Sequence, residues 1–138
     1  MIIDAKDLVL GRIGSLAARK ALLGEKVEIV NCEEAVITGD KEKILEKYLH
    51  RMHRGQPRTG PFFYKQEDRF VKRTIRGMLP HKQPRGRDAF KRIRCYIGLP
   101  EELKNQKIIT LPEANVSKMQ NLKYLRVKDV CKFVGKKE

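Results

Sequence analysis

The chain has no tryptophan, two serines and three cysteines among its 138 residues. Cys32, Cys95 and Cys131 are odd in number, far apart and without a CxxC pair, which argues against a disulfide scaffold or zinc knuckle and for a reducing cytosol. Neither Ser15 nor Ser117 stands in a GxSxG nucleophile turn. No apolar run approaches the roughly 20 residues of a membrane helix. Met1-Ile2-Ile3-Asp4 lacks the basic region and long apolar stretch of a secretory signal. No internal repeat, low-complexity tract or linker divides the chain, and its length fits one domain over 1–138. No proline precedes Pro57, which leaves the first part free to be continuous regular structure; five of the six prolines then fall between Pro57 and Pro100.

Acidic residues are scarce as well. Lys plus Arg number 31 against 17 Asp plus Glu, a net charge of +14. The excess is local. Residues 1–49 carry 8 basic and 9 acidic side chains, residues 50–94 carry 14 and 3, and residues 95–138 carry 9 and 5. Ten of the 13 arginines, but only four of the 18 lysines, lie in the central stretch. Guanidinium is a planar fork that grips phosphate and stacks on bases, whereas ammonium is a hydrated point charge. A coat serving solubility alone has no reason to favour arginine, so the pattern implies a polyanionic partner.

Ile2 to Asp4 reads as a strand, and Ile13, Leu16, Ala17 and Ala21 as the apolar stripe of a helix that stops at Gly24. Val27 to Val30 reads as a second strand, giving a right-handed βαβ unit and a parallel sheet. After the short apolar piece Val36-Ile37, Asp40 can cap a helix from Lys41 to about Arg54. Glu33-Glu34 reads as a solvated turn. Further helices are expected over Asp68 to Arg76 and Gly86 to Ile93, with loops at Gly55 to Gly60 and Leu79 to Gly86 and strands at Arg94 to Ile97 and Lys107 to Leu111. Val127, Val130, Cys131 and Val134 form the stripe of a last helix, in a helical tail over 118–138. The expected fold is α/β, a small and mainly parallel sheet of about four strands covered on both faces.

The central helices are two-faced. From Lys41, Ile44, Leu45, Tyr48, Leu49 and Met52 face inward, while Lys43, Lys47, His50, Arg51 and Arg54 share the other side. From Asp68, Phe70, Val71, Thr74 and Ile75 face in; Arg69, Lys72, Arg73 and Arg76 face out. In the next helix Arg87, Lys91 and Arg94 line up opposite Ala89, Phe90 and Ile93. Like charges at i and i+4 destabilise a helix by about 0.2–0.5 kcal/mol per pair, a cost that phosphates remove with release of counterions. Arg58, Lys65, Lys82 and Arg85 extend the basic set through the loops. Phe62, Phe63 and Tyr64 lie among them; such aromatics can stack on unpaired bases, although core packing is the simpler reading.

Catalytic constellations are missing. Gly11 and Gly14 suggest a phosphate-cradling turn, but Val9 stands where GxGxxG needs its first glycine, and close helix–sheet packing explains a lone GxxG. The amides at that helix start, beside Arg12, remain a candidate phosphate contact. His50 and His53 lack further ligands for a metal. Glu67-Asp68 reads as a helix cap rather than a Mg²⁺ site. No metal, cofactor or small-molecule substrate is expected. The competing readings are a nucleic-acid-processing or nucleotide-binding enzyme and a free RNA chaperone.

The run from Val71 to Lys82, with RGMLPHK at Arg76 to Lys82, is followed by Gly86-Arg87 and by Arg94-Cys95-Tyr96-Ile97-Gly98. Together with Leu10-Gly11-Arg12, Ala17-Ala18, Val30-Asn31-Cys32-Glu33 and Ile37-Thr38-Gly39, it resembles the large-ribosomal-subunit protein L-thirteen family, of universal type, in its archaeal or eukaryotic form. The resemblance runs along nearly the whole chain. It departs from the family near the C-terminus, where Lys136 stands in place of a tryptophan common among relatives. The resemblance implies a three-layer α/β/α fold and a cytoplasmic, non-catalytic building block of the large subunit. That block binds large-subunit rRNA early in assembly and adjoins neighbouring ribosomal proteins. The candidate RNA contacts are then Arg12, Lys43, Lys47, His50, Arg51, Arg54, Arg58, Lys65, Arg69, Lys72, Arg73, Arg76, Lys82, Arg85, Arg87 and Lys91. Gly77, Met78, Leu79 and Pro80 form the turn that sets the following loop.

Overall fold

A computed structural model describes residues 1–135. Strand β1 (Ile2–Asp4), helix α1 (Leu10–Leu22) and strand β2 (Val27–Val30) form the βαβ unit, with Ile2 opposite Glu28, Ile3 opposite Ile29 and Asp4 opposite Val30. Leu10, Ile13, Gly14, Ala17, Ala18 and Ala21 are buried along one stripe of α1. Gly24, at φ +98°, ends the helix in a conformation that side chains rarely adopt. Gly11 and Gly14 lie inside α1 rather than before it, and Gly14 packs against the Met78 side chain. Gly14 is therefore a packing position against the turn after α3, whereas Gly11 is exposed in the first turn of α1 with open space beside it.

Strand β3 (Val36–Thr38) leads into α2 (Lys41–Met52), which stops short of Arg54. Asp40 occupies the cap position, yet its side chain makes no bond to the helix amides. The carboxylate instead meets Lys123 at 2.9 Å and Lys43 at 3.7 Å, and these partners, Lys123 foremost, hold its pKa below the usual range. Helix α3 (Glu67–Arg76) is capped in position by Gln66, with Glu67 turned inward and buried. Helix α4 (Pro84–Lys91) begins at a proline, whose fixed φ suits a first helical position. Arg85, Gly86 and Arg87 are thus helical, and the expected loop shrinks to the turn before Pro84.

Strands β4 (Ile93–Cys95) and β5 (Ile108–Ile109) complete a parallel sheet in the order β4-β2-β1-β5. Alternation along the strands gives the sheet two faces. Ile3, Val27, Ile29 and Ile93 join the helices in the larger core. Ile2 and Val30 point the other way, onto Leu103, Tyr96, Leu99 and Ile108. The second covering layer is built on the 3-10 turn Glu101–Leu103 instead of a long helix. Each of these fully buried Ile or Val side chains contributes about 1.5–3 kcal/mol relative to exposure.

A further strand, β6 (Tyr124–Arg126), runs antiparallel to β3 and precedes α5 (Val127–Phe133), whose Val127, Val130 and Cys131 are buried. The stretch from 118 is therefore extended before it is helical, and residues 136–138, Lys136 among them, lie outside the described residues. Glu33-Glu34 is not a solvated turn. Both Glu33 carboxylate oxygens accept from the Gly98 amide, at 3.0 and 3.1 Å. Glu34 accepts from Arg126 and from Lys128 (2.8 Å), and Arg126 also reaches Asp7 at 3.0 Å. Asp7, Glu34 and Asp40 of the first third serve as internal counter-charges for Lys123, Arg126 and Lys128.

Candidate nucleic-acid interface

Helix α2 buries Ile44 and half-buries Leu45, Tyr48, Leu49 and Met52, because these recur at helical spacing on the side facing the body. Lys43, Lys47, His50, Arg51 and Arg54 are consequently exposed. On α3, burial of Phe70, Val71 and Ile75 leaves Arg69 exposed and Lys72, Arg73 and Arg76 half-buried. Arg85, Arg87 and Lys91 project from α4, and Lys82 from the turn before it. Within 50–94, Lys91 lies 3.9 Å from Asp88 on the exposed side of α4.

Between α2 and α3 lies a groove of about 590 Å³. Lys47, Arg51 and Arg54 wall one side and Arg73 and Arg76 the other, with His81 at the end. None of its lining residues is acidic. Its floor is aromatic: Tyr48 and Phe70 have ring centroids 5.1 Å apart, and Phe63 lies 6.1 Å from Tyr48 and 6.2 Å from Phe70. Burial there pushes the Tyr48 hydroxyl above its ordinary pKa. The aromatic run divides by position. Phe63 belongs to the floor, Phe62 is 64% exposed, and Tyr64 lies under two guanidiniums, Arg73 at 5.4 Å and Arg69 at 5.9 Å. Lys72 sits 5.1 Å from the Phe90 ring centroid. Arg73 also donates to the Phe62 carbonyl at 2.6 Å, so it shapes the loop as well as lining the groove.

The turn after α3 joins this wall to α4. Met78 N donates to Ile75 O at 2.9 Å and Leu79 N to Arg76 O at 3.2 Å. Leu79 is buried, Met78 covers Gly14, and Pro80 lies against Gly86. The Gly77–Pro80 turn thereby fixes the direction in which Lys82, Arg85 and Arg87 emerge.

Other candidates stand apart from the groove. Arg12 donates to the Glu113 carbonyl and lines a separate recess with Arg19 and Leu111. Lys43 stands at the start of α2 beside Asp40. The Lys65 ammonium approaches Gly135 at the end of α5. Arg58 sits in a turn closed by two bonds between Gln56 and Gly60, at 2.9 and 3.2 Å. Sequence reasoning did not single out His81 or Thr74 as groove residues; the position of His81 inside RGMLPHK was the available signal. Among the described residues no helix is long and apolar enough to cross a membrane, and no three His, Cys, Asp or Glu side chains gather as a metal site.

Comparison with known proteins bears on this geometry. The family profile of Ribosomal protein L13 matches residues 1–102. The large ribosomal subunit protein uL13 of Methanosarcina barkeri is 44% identical over 137 residues, covering 99% of this chain and 98% of its own. That of Archaeoglobus fulgidus is 42% identical over 135 residues, covering 97% of this chain and 86% of its own. That of Haloarcula marismortui is 42% identical over 135 residues, covering 98% and 90%. With matches of this extent, and with the motif residues gathered at the turn between α3 and α4, the chain belongs to the ribosomal protein L13 family.

Proposed function

We propose that this chain is a non-catalytic structural constituent of the large ribosomal subunit in the cytoplasm. In this reading it acts as one domain, binds large-subunit rRNA through the arginine-rich face of 50–94, and supports early subunit assembly. The observation that carries this is the groove walled by Arg51, Arg54, Arg73 and Arg76 with no acidic side chain lining it. Such a surface repels itself and is relieved by phosphate, whose condensed counterions are released on binding. Guanidinium forks fix phosphates bidentately where RNA segments converge. Specificity comes mostly from RNA shape, because the A-form major groove excludes side chains. Arg58, Arg69, Lys82, Arg85 and Arg87 widen the contact around the groove, and neighbouring subunit proteins adjoin the body.

Sedimentation tests the reading. The wild-type chain is expected to migrate with large subunits after a salt wash. An Arg51→Glu/Arg54→Glu variant with an unchanged circular dichroism spectrum is expected in the light fractions. Retention of that folded variant on subunits overturns the assignment of this face, and absence of the wild type from subunits favours a free RNA chaperone.

A further inference from the structure

We infer that the groove between α2 and α3 seats one unpaired RNA nucleotide, its base stacked on the ring of Phe62 and its phosphate held by Arg54 and Arg76. This rests on the rRNA-binding reading and names the form of RNA that the groove takes. Phe62 is 64% exposed. Among the described residues its ring has no aromatic or cationic partner, whereas every other aromatic lining the groove has one. Tyr48, Phe63 and Phe70 pack on each other, and Tyr64 is covered by Arg69 and Arg73. Phe62 is the remaining open π-face.

The backbone that carries the ring is also held in place. Arg73 anchors the Phe62 carbonyl at 2.6 Å, and Phe63 ties the next residue to the floor. Gly60, at φ +85°, lies against the same ring: a β-carbon there would come within 3.3 Å of Phe62 Cδ2. A platform fixed in advance loses little entropy when a base settles on it. Around it stand guanidiniums without a recorded side-chain partner, Arg54 and Arg76, while Arg51 is engaged over Tyr48 at 5.6 Å. The groove, at about 590 Å³, falls within the roughly 300–1,000 Å³ of sites that take small organic ligands.

Base pairing decides which RNA can use this site. In a duplex both faces of a base are hidden in the stack, so the ring gains nothing. A bulged or single-stranded nucleotide offers an open face, and stacking tolerates any base. An acidic peptide would satisfy the arginines but leave the Phe62 ring unmatched.

The absence of tryptophan makes the test direct, because Phe62→Trp introduces a single indole. The full chain is titrated with oligouridine of about ten residues, with an RNA duplex of similar length and with polyglutamate. Oligouridine is expected to quench the indole, and duplex and polyglutamate are not. Phe62→Ala is expected to weaken oligouridine binding by about 5- to 150-fold, the range of one lost base–aromatic stack. Duplex binding should stay within twofold and the melting curve unchanged. Phe62→Tyr, which keeps a ring, should restore oligouridine binding. An indole that stays bright at saturating oligouridine, quenching by polyglutamate, or equal loss for both RNAs in Phe62→Ala overturns the stacking site while leaving the rRNA reading standing. A wild-type chain that binds neither RNA overturns both.

Discussion

The carbonyl oxygen of Pro80 lies 2.1 Å from the point where a β-carbon on Gly86 would stand. The turn after α3 and the first turn of α4 therefore meet backbone to backbone, and only glycine leaves room. This contact ties the signature run ending at Lys82 to the helix that carries Arg85 and Arg87.

Gly86→Ala should consequently destabilise the protein at the upper end of the roughly 1–3 kcal/mol that overpacking costs, since the clashing atom is backbone. Gly14→Ala is the contrasting case. Its β-carbon would come within 2.8 Å of Met78 Sδ, the far part of a flexible side chain, and alanine gains up to about 1 kcal/mol of helix propensity over glycine. Its net change should stay within about 1 kcal/mol. Urea unfolding followed by circular dichroism separates the two; equal midpoints would refute the Pro80–Gly86 contact.

Arginines within one stretch should differ in kind. Arg54 is exposed in the groove wall, so Arg54→Ala should keep the fold and lower the slope of log affinity against log salt by about 0.7–1. Arg92 donates to the Ala21 carbonyl at 3.2 Å, at the negative end of α1. Arg92→Ala should cost stability, about 0.3–1 kcal/mol, and leave the salt slope unchanged. Filter binding at several salt concentrations, paired with thermal melts, reads both effects.

Acid should loosen the junction between Glu34 and the C-terminal part. A hydrogen bond from Lys128, aided by the nearby Arg126 charge, lowers the Glu34 pKa in the folded protein. Its stabilisation is complete above the unfolded value of about 4.3 and is lost as pH falls through the lower folded value. Glu34→Gln should destabilise the protein at neutral pH and flatten the decline in urea midpoint below pH about 4.3. A decline as steep as that of the wild type would show that other carboxylates carry it.

Thiol chemistry should be slow. Contact with Cys95, and then burial, push the Cys32 thiol above its ordinary pKa, and Cys131 is buried too. Thiolate is the reactive form. Iodoacetamide near pH 8 should modify Cys95 first and reach Cys32 and Cys131 only in denaturant, as mapped by peptide mass spectrometry. Labelling of native Cys32 at the rate of a free thiol would contradict its placement.

Local patterns made β1, α1, β2, α2 and α3 legible, because their apolar residues recur at the period of the element; Gly24 and Gly77 follow the ends of α1 and α3, and Gly39 precedes α2. The start of α4 was misplaced because Pro84 reads equally as a loop residue and as a first helical residue. Strand β6 left no trace in the pattern: of Tyr124, Leu125 and Arg126 only Leu125 is buried. The partners of Glu33 and Glu34 lie 65 to 94 positions away, beyond any local signal. At the candidate interface the charge pattern named the cations, but the division of Phe62 from Phe63 depends on which of two adjacent rings the loop turns inward.

The pairing of β3 with β6 bears on how the protein comes into being. A growing polypeptide exposes Val36–Thr38 long before Tyr124–Arg126 has been translated. Until then it carries an open strand edge and an unneutralised Glu34, alongside a newly made run of opposite charge. That combination invites premature association with sister copies. Arrival of residues 124–128 closes the edge and quenches the acid in one event, so only a chain that includes them has both the strand and the carboxylate satisfied.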